Sequence, residues 1–133
     1  VIVLDASAVL ELLLGTPVGA RVLRRIAAPA ETLHAPHLVD LEVAQVLRRF
    51  QREGDIDEAR GREALEVLRG LDVARYPHDV LLPRIWQLRD AVTAYDAAYL
   101  ALAEALAAPL LTADAKLART RGHRARVELV GNV

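Results

Sequence analysis

Along this chain, short unbroken apolar runs alternate with longer segments in which apolar residues recur every three or four positions. The first pattern predicts strands buried on both faces and the second predicts amphipathic helices. Their alternation predicts an α/β fold with a mainly parallel sheet. Val1-Ile2-Val3-Leu4, rich in β-branched residues, predicts the central strand. Thr32–Ala35 closed by Pro36, Leu71–Ala74 and Leu110–Thr112 predict three more short strands, and Val127–Val130 an edge strand. Helices are predicted over Ala8–Leu14, from Pro17 to about Ala28, Leu38 to about Arg52, Ile56 to about Arg69, Leu81 to Ala91, Asp96 to the break at Pro109, and Ala115 to about Arg119. On the fifth of these, the single tryptophan, Trp86, shares helical spacing with Leu82, Ile85 and Leu88, which predicts a core position.

Composition narrows the function. The chain is 133 residues long and 53% hydrophobic, which fits one domain, 1–133, with a real core. It holds no cysteine, so a disulfide framework and a thiolate metal site are both excluded, in keeping with a reducing cytoplasm. The longest apolar stretch, Ala97–Ala113, is broken by Glu104 and Pro109, and no basic region precedes the N-terminal apolar run. A membrane span and a signal peptide are therefore not expected. Net charge is −1, so any nucleic acid must be held by a local basic patch. The densest one is Lys116, Arg119, Arg121, His123, Arg124 and Arg126. His34 and His37 are a weak metal signal, with no matching histidine or cysteine cluster.

The chemistry rests on four acids. Asp5, Asp96 and Asp114 each fall at a predicted strand end or helix start, the edge of an open α/β sheet where ligands bind. Taken singly, each reads as a helix cap. Glu42 is different: its helical neighbours include Leu38, Val39 and Val46, so its carboxylate must be paired, hold a cation or reach for water. Asp40, on another face, reads as solvated. Two unit charges ~4 Å apart repel by about 4 kcal/mol at an effective dielectric of ~20. Carboxylates sharing a pocket therefore call for protons or a divalent cation, and oxygen ligands favour Mg²⁺ or Mn²⁺. Beside an arginine-rich tail, such a site suits phosphodiester hydrolysis.

Four segments carry a resemblance: I-V-L-D-A-S at Ile2–Ser7, L-E-V-A-x-x-L-R-R at Leu41–Arg49, A-Y-D-A-A-Y-L-A-L-A-E at Ala94–Glu104, and P-L-L-T-A-D at Pro109–Asp114. In this order and spacing they resemble the PIN domain, and more narrowly the VapC-type ribonuclease toxins of bacterial toxin–antitoxin pairs. The resemblance runs from Val1 to about Val130. It implies a three-layer α/β/α sandwich with a mainly parallel, roughly five-stranded sheet, and Mg²⁺- or Mn²⁺-dependent endoribonuclease activity. Asp5, Glu42, Asp96 and Asp114 would form the acidic quartet, with Asp5, Asp96 and Asp114 on the metal and Ser7 and Thr112 as supporting hydroxyls. Lys116, Arg119 and Arg121 are expected to grip the RNA backbone. The resemblance further implies a homodimer and a cognate antitoxin protein that blocks the site. Asp40 departs from the apolar or neutral residue usual two positions before the glutamate. A dehalogenase-type phosphatase needs a second Asp where Ser7 stands, and a receiver domain needs an acidic neighbour for Asp5. The rival from another class is a non-catalytic scaffold of the same fold that binds RNA or protein.

Overall fold

The computed structural model describes residues 1–131; the last two positions of the expected 1–133 domain lie outside them. Five strands, β1 (Ile2–Leu4), β2 (Leu33–Pro36), β3 (Val73–Tyr76), β4 (Leu110–Thr112) and β5 (Val127–Leu129), form one all-parallel sheet. Their order is β3-β2-β1-β4-β5. β1 is central, as its unbroken apolar run requires, and Ile2, Val3 and Leu4 are all buried. The chain builds outward from β1 to β2 and β3, then returns to the other side of β1 for β4 and β5. The point where that direction reverses lies between β1 and β4, whose register pairs Val3 with Leu110 and Leu4 with Leu111. In open α/β sheets, ligands bind outside the carboxyl ends of the strands at such a point.

Among the described residues, seven α-helices complete the α/β/α sandwich: α1 (Ala6–Leu14), α2 (Pro17–Ile26), α3 (Leu38–Arg52), α4 (Glu58–Gly70), α5 (Leu82–Gln87), α6 (Ala94–Leu106) and α7 (Ala115–Ala118). Several boundaries differ from the sequence reading; β3, expected over Leu71–Ala74, lies two residues later, and three helix starts have a clear physical reason or outcome. α1 begins at Ala6, because Asp5 itself caps it by accepting the Ala8 N–H at 2.9 Å. α6 begins at Ala94, because Thr93 is the cap and its hydroxyl accepts the Asp96 N–H at 3.1 Å. Asp96 thus sits within the first turn, not before it. The segment expected as one helix over Leu81–Ala91 is a 3₁₀ turn (Asp79–Leu81) and then the short α5.

α6 packs on β1, β2 and β4, and Ala97 to Ala103 are buried without interruption. A helix apolar all round belongs in the interior, and alanines let its backbone approach the sheet closely. A second close approach joins α1 to α2 at Gly19, where an added Cβ would lie 2.0 Å from the Glu11 carbonyl oxygen. Outside the core, Arg84 of α5 binds Glu104 of α6 through both Nε (2.7 Å) and Nη2 (3.0 Å), and Glu104 also accepts the Arg124 N–H. Asp40 is not simply solvated: it accepts two bonds from Arg75 Nε of β3, at 3.0 and 2.8 Å, and so ties α3 to that edge strand. His34 is a structural residue, bonded to Tyr76 and Thr32. Among the described residues no single helix is long and apolar enough to cross a membrane.

Candidate active site

The carboxyl end of β1 delivers Asp5 into the crevice, and that of β4 delivers Thr112 and Asp114. Asp5 is 5% exposed. Its Oδ1 accepts from the Ser7 hydroxyl (2.7 Å) and the Ala8 N–H, and its Oδ2 accepts from the Thr112 hydroxyl (2.5 Å). Ser7 and Thr112 in turn receive the backbone N–H groups of Ala113 (2.9 Å) and Asp114 (3.0 Å). These bonds lock the end of β1 to the end of β4. Three donors favour the Asp5 carboxylate, but burial outweighs them, and with a further push from Asp114 the carboxyl is raised to about 6. Asp114 caps α7 by accepting the Lys116 N–H on Oδ1 at 2.9 Å. For Asp5 and Asp114, capping and placement at the sheet edge are one geometry.

Glu42 comes from α3, half-buried, and meets α6 there: Tyr99 donates its hydroxyl to Glu42 Oε1 at 2.6 Å. Burial raises the Glu42 carboxyl, the Tyr99 bond opposes that rise, and the charge of Asp96 adds to it. Asp96 is itself raised, by burial and then by Asp114, with Lys116 pulling the other way. Among the described residues its carboxylate accepts no hydrogen bond. Tyr99 is buried, and burial together with Glu42, Asp5 and Asp96 pushes its phenol far above the ordinary range. The fold therefore brings Asp5, Glu42, Asp96 and Asp114 into one electrostatic neighbourhood from four separate segments.

This donor set suits a divalent cation: all its ligating atoms are hard oxygens, and Lys116 offsets only part of the rise at Asp96. The four acids form an electrostatic cluster and not a finished cage; among the described residues no three are close enough to coordinate one ion as placed. Both Asp5 oxygens are already engaged, which leaves the freer carboxylates of Asp96 and Asp114 to adjust. Beside Asp96 opens a cleft of about 410 Å³, lined by Arg89, Thr93, Asp96, Lys116 and Thr120 among others. Of the expected backbone-gripping residues, Lys116 lines this cleft; Arg119 and Arg121 are exposed but outside its lining.

Two residues here were not read from sequence in these positions. Tyr99 stands in the sequence reading only within the Ala94–Glu104 segment; the available signal was a phenol one helical turn after Asp96 on a helix rich in Ala and Leu. Trp86, expected in the core, is 66% exposed. The buried stripe of this segment is Leu81, Ile85 and Leu88, whereas Trp86 follows Leu82, itself exposed, by one turn.

Comparison with known proteins agrees with this fold. The family described as PIN domain matches residues 2–123. Ribonuclease VapC12 of Mycobacterium tuberculosis is 44% identical over 129 residues, covering 97% of this chain and 98% of the relative. Ribonuclease VapC9 of the same organism is 49% identical over 119 residues, covering 90% of each. Among solved structures, PAE2754 of Pyrobaculum aerophilum superposes with a TM-score of 0.66 at 28% identity, over 95% of this chain and 82% of that one. VapBC2 of Rickettsia felis, solved bound to a DNA fragment from its promoter, has a TM-score of 0.71 at 12% identity over 96% and 97%, a likeness of fold alone.

Proposed function

The chain belongs to the PIN domain family, among VapC-type ribonucleases, and from that premise we propose that it is a Mg²⁺- or Mn²⁺-dependent endoribonuclease acting as the toxin of a bacterial toxin–antitoxin pair. One observation carries the proposal. Asp5, Glu42 and Asp96 all have carboxyls raised first by burial and then, to a smaller extent, by another acid of the same cluster, at the point where strand order reverses. A purely structural set of acids has no reason to accumulate this mutual repulsion, and titratable groups perturbed in this way cluster at functional sites.

In this reading Asp5, Asp96 and Asp114 hold the cation, and Ser7 and Thr112 keep the Asp5 carboxylate aimed. When bound, the ion supplies Lewis-acid chemistry, offsetting phosphate charge and easing deprotonation of water. Glu42 orients the attacking water and accepts its proton on Oε2, since Oε1 is engaged by Tyr99. A raised carboxyl is the better base for that task near neutral pH. Lys116 meets the phosphate in the cleft beside Asp96, and Arg119 and Arg121 contact the strand farther out. The relatives' pairing suggests an antitoxin partner, and the exposed Leu23, Leu41 and Val67 on α2, α3 and α4 are candidate contacts for it. A homodimer and a cytoplasmic location belong to the same reading.

The test is RNA cleavage by the purified chain, free of partners, with Mg²⁺ or Mn²⁺, an EDTA control and Asp96→Asn alongside. Cleavage that needs metal and vanishes in the folded variant supports the proposal. If wild type and variant leave single-stranded and structured RNAs equally intact, and metal leaves Tm unchanged, the non-catalytic binding scaffold takes its place.

A further inference from the structure

Trp86 is the chain's single tryptophan, and it lies outside the core. The Arg89 guanidinium covers its ring at 4.6 Å from the centroid. Arg89 Nη1 also donates to the Trp86 carbonyl oxygen at 2.9 Å, which fixes the arginine over the indole. Among the described residues no carboxylate pairs with this guanidinium. Arg89 also lines the cleft that holds Asp90, Asp96, Lys116, Thr93 and Thr120. A flat aromatic surface, a fixed planar cation and a charged cleft thus adjoin the acidic cluster.

Isolated exposed apolar residues are ordinary on protein surfaces. A tryptophan locked under an arginine that no carboxylate pairs, at the rim of a cleft with charges of both signs, is a more specific arrangement. Single-stranded nucleic acid is held by this combination, with bases stacked on aromatic and guanidinium planes and phosphates on positive charge. Leu82 and Tyr95 are also exposed, at 55% and 61%, and would suit a protein contact; the guanidinium fixed flat on the indole favours a planar base with a phosphate beside it. We infer that the Trp86–Arg89 stack is a nucleotide subsite that receives an unpaired base of the RNA and places the neighbouring phosphate in the cleft beside Asp96. The inference rests on the nuclease reading and adds that the substrate is unpaired next to the cut.

Because Trp86 is the only tryptophan, its fluorescence reports this subsite directly. In Asp96→Asn with EDTA, a short single-stranded oligoribonucleotide should quench or shift the emission saturably, whereas an abasic oligomer with the same phosphates should not. With wild type and Mg²⁺, Trp86→Ala and Arg89→Ala should each raise KM on a single-stranded substrate by about tenfold, the scale of one lost base stack, with kcat changed less than twofold. Trp86→Phe, which keeps a ring, should recover part of the loss. Absence of cleavage by wild type would sink the nuclease reading, and the fluorescence titration would then decide the subsite alone. Cleavage by wild type, with emission indifferent to RNA and both KM values unchanged, would overturn the subsite and leave the nuclease reading standing. Emission that shifts with protein concentration before RNA is added would assign the face to contact between copies, which also overturns it. If Trp86→Ala does not fold, the fluorescence titration and Arg89→Ala still decide.

Discussion

Tyr99 donates its hydroxyl hydrogen to Glu42 Oε1 over 2.6 Å, and this bond joins the helix that carries Asp96 to the helix that carries Glu42. Glu42 lies among apolar neighbours on α3, so the phenol is what gives its carboxylate a partner. The bond leaves Oε2 as the open oxygen.

Tyr99→Phe removes that donor and keeps the ring. Hydrogen bonds to charged groups contribute about 1.5–3 kcal/mol. RNA cleavage should fall by about ten- to a hundredfold, mainly in kcat, and the midpoint for Glu42 ionisation should move up, because the Tyr99 bond now lowers it. A pH–rate profile of the variant beside wild type measures both. An unchanged profile would separate Tyr99 from the reaction.

Asp5 links stability to pH with an unusual sign. Its folded carboxyl titrates at about 6 and its ordinary value is 3.8. Below pH ~4 it is protonated in both states and adds nothing. As pH rises through 6 the folded state must carry a buried charge that the unfolded chain bears in water. Two units correspond to about 3 kcal/mol, so metal-free protein should lose stability on the order of that amount between pH 4 and 7 from this group. Mg²⁺ should raise Tm more at pH 7 than at pH 5. Asp5→Asn should flatten the metal-free dependence. Scanning calorimetry across this range checks all three.

Thr112 is fully buried, and its hydroxyl serves Asp5 and the Asp114 N–H together. Thr112→Val keeps the shape and strands both partners, at a cost of about 1–3 kcal/mol for each buried group left unsatisfied. Thr112→Ser keeps the hydroxyl and should recover most of the activity with a smaller loss for the missing methyl. Denaturant unfolding and cleavage assays on the pair separate hydrogen bonding from packing.

Gly19→Ala tests the α1–α2 crossing. The new methyl meets backbone, not a movable side chain, so the helices must separate. Overpacking of this kind costs about 1–3 kcal/mol or more, and the variant should melt several degrees lower. Gly61→Ala on α4, where an added Cβ would make only an ordinary contact with Ile56, is the control and should not lower Tm.

The fold was legible because its signals are local. An apolar run such as Ile2–Leu4 can be buried on both faces only in the middle of a parallel sheet, and Pro17 and Gly15 punctuate the helices beside it. Asp5 and Asp114 were legible for the same reason: Asp5 follows its strand directly and Asp114 follows one residue later. Glu42 was legible as a misplaced charge. What escaped depends on pairings across the chain. The bond from Arg75 to Asp40 spans 35 residues and that from Tyr99 to Glu42 spans 57, and neither leaves a mark on local periodicity. Trp86 was misread because two adjacent stripes were taken as one face: Leu81, Ile85 and Leu88 point inward, whereas Trp86 follows the exposed Leu82.

The sheet order has one more consequence, for the chain during its synthesis. β1 waits for β4, more than a hundred positions downstream, before Thr112 can reach Asp5. A ribosome adding about 5–20 residues per second therefore exposes Asp5 and Glu42 for several seconds before their partners exist. An incomplete polypeptide carries half of the acids and none of the β1–β4 lock, so the chemistry becomes available only when almost the whole protein has been made.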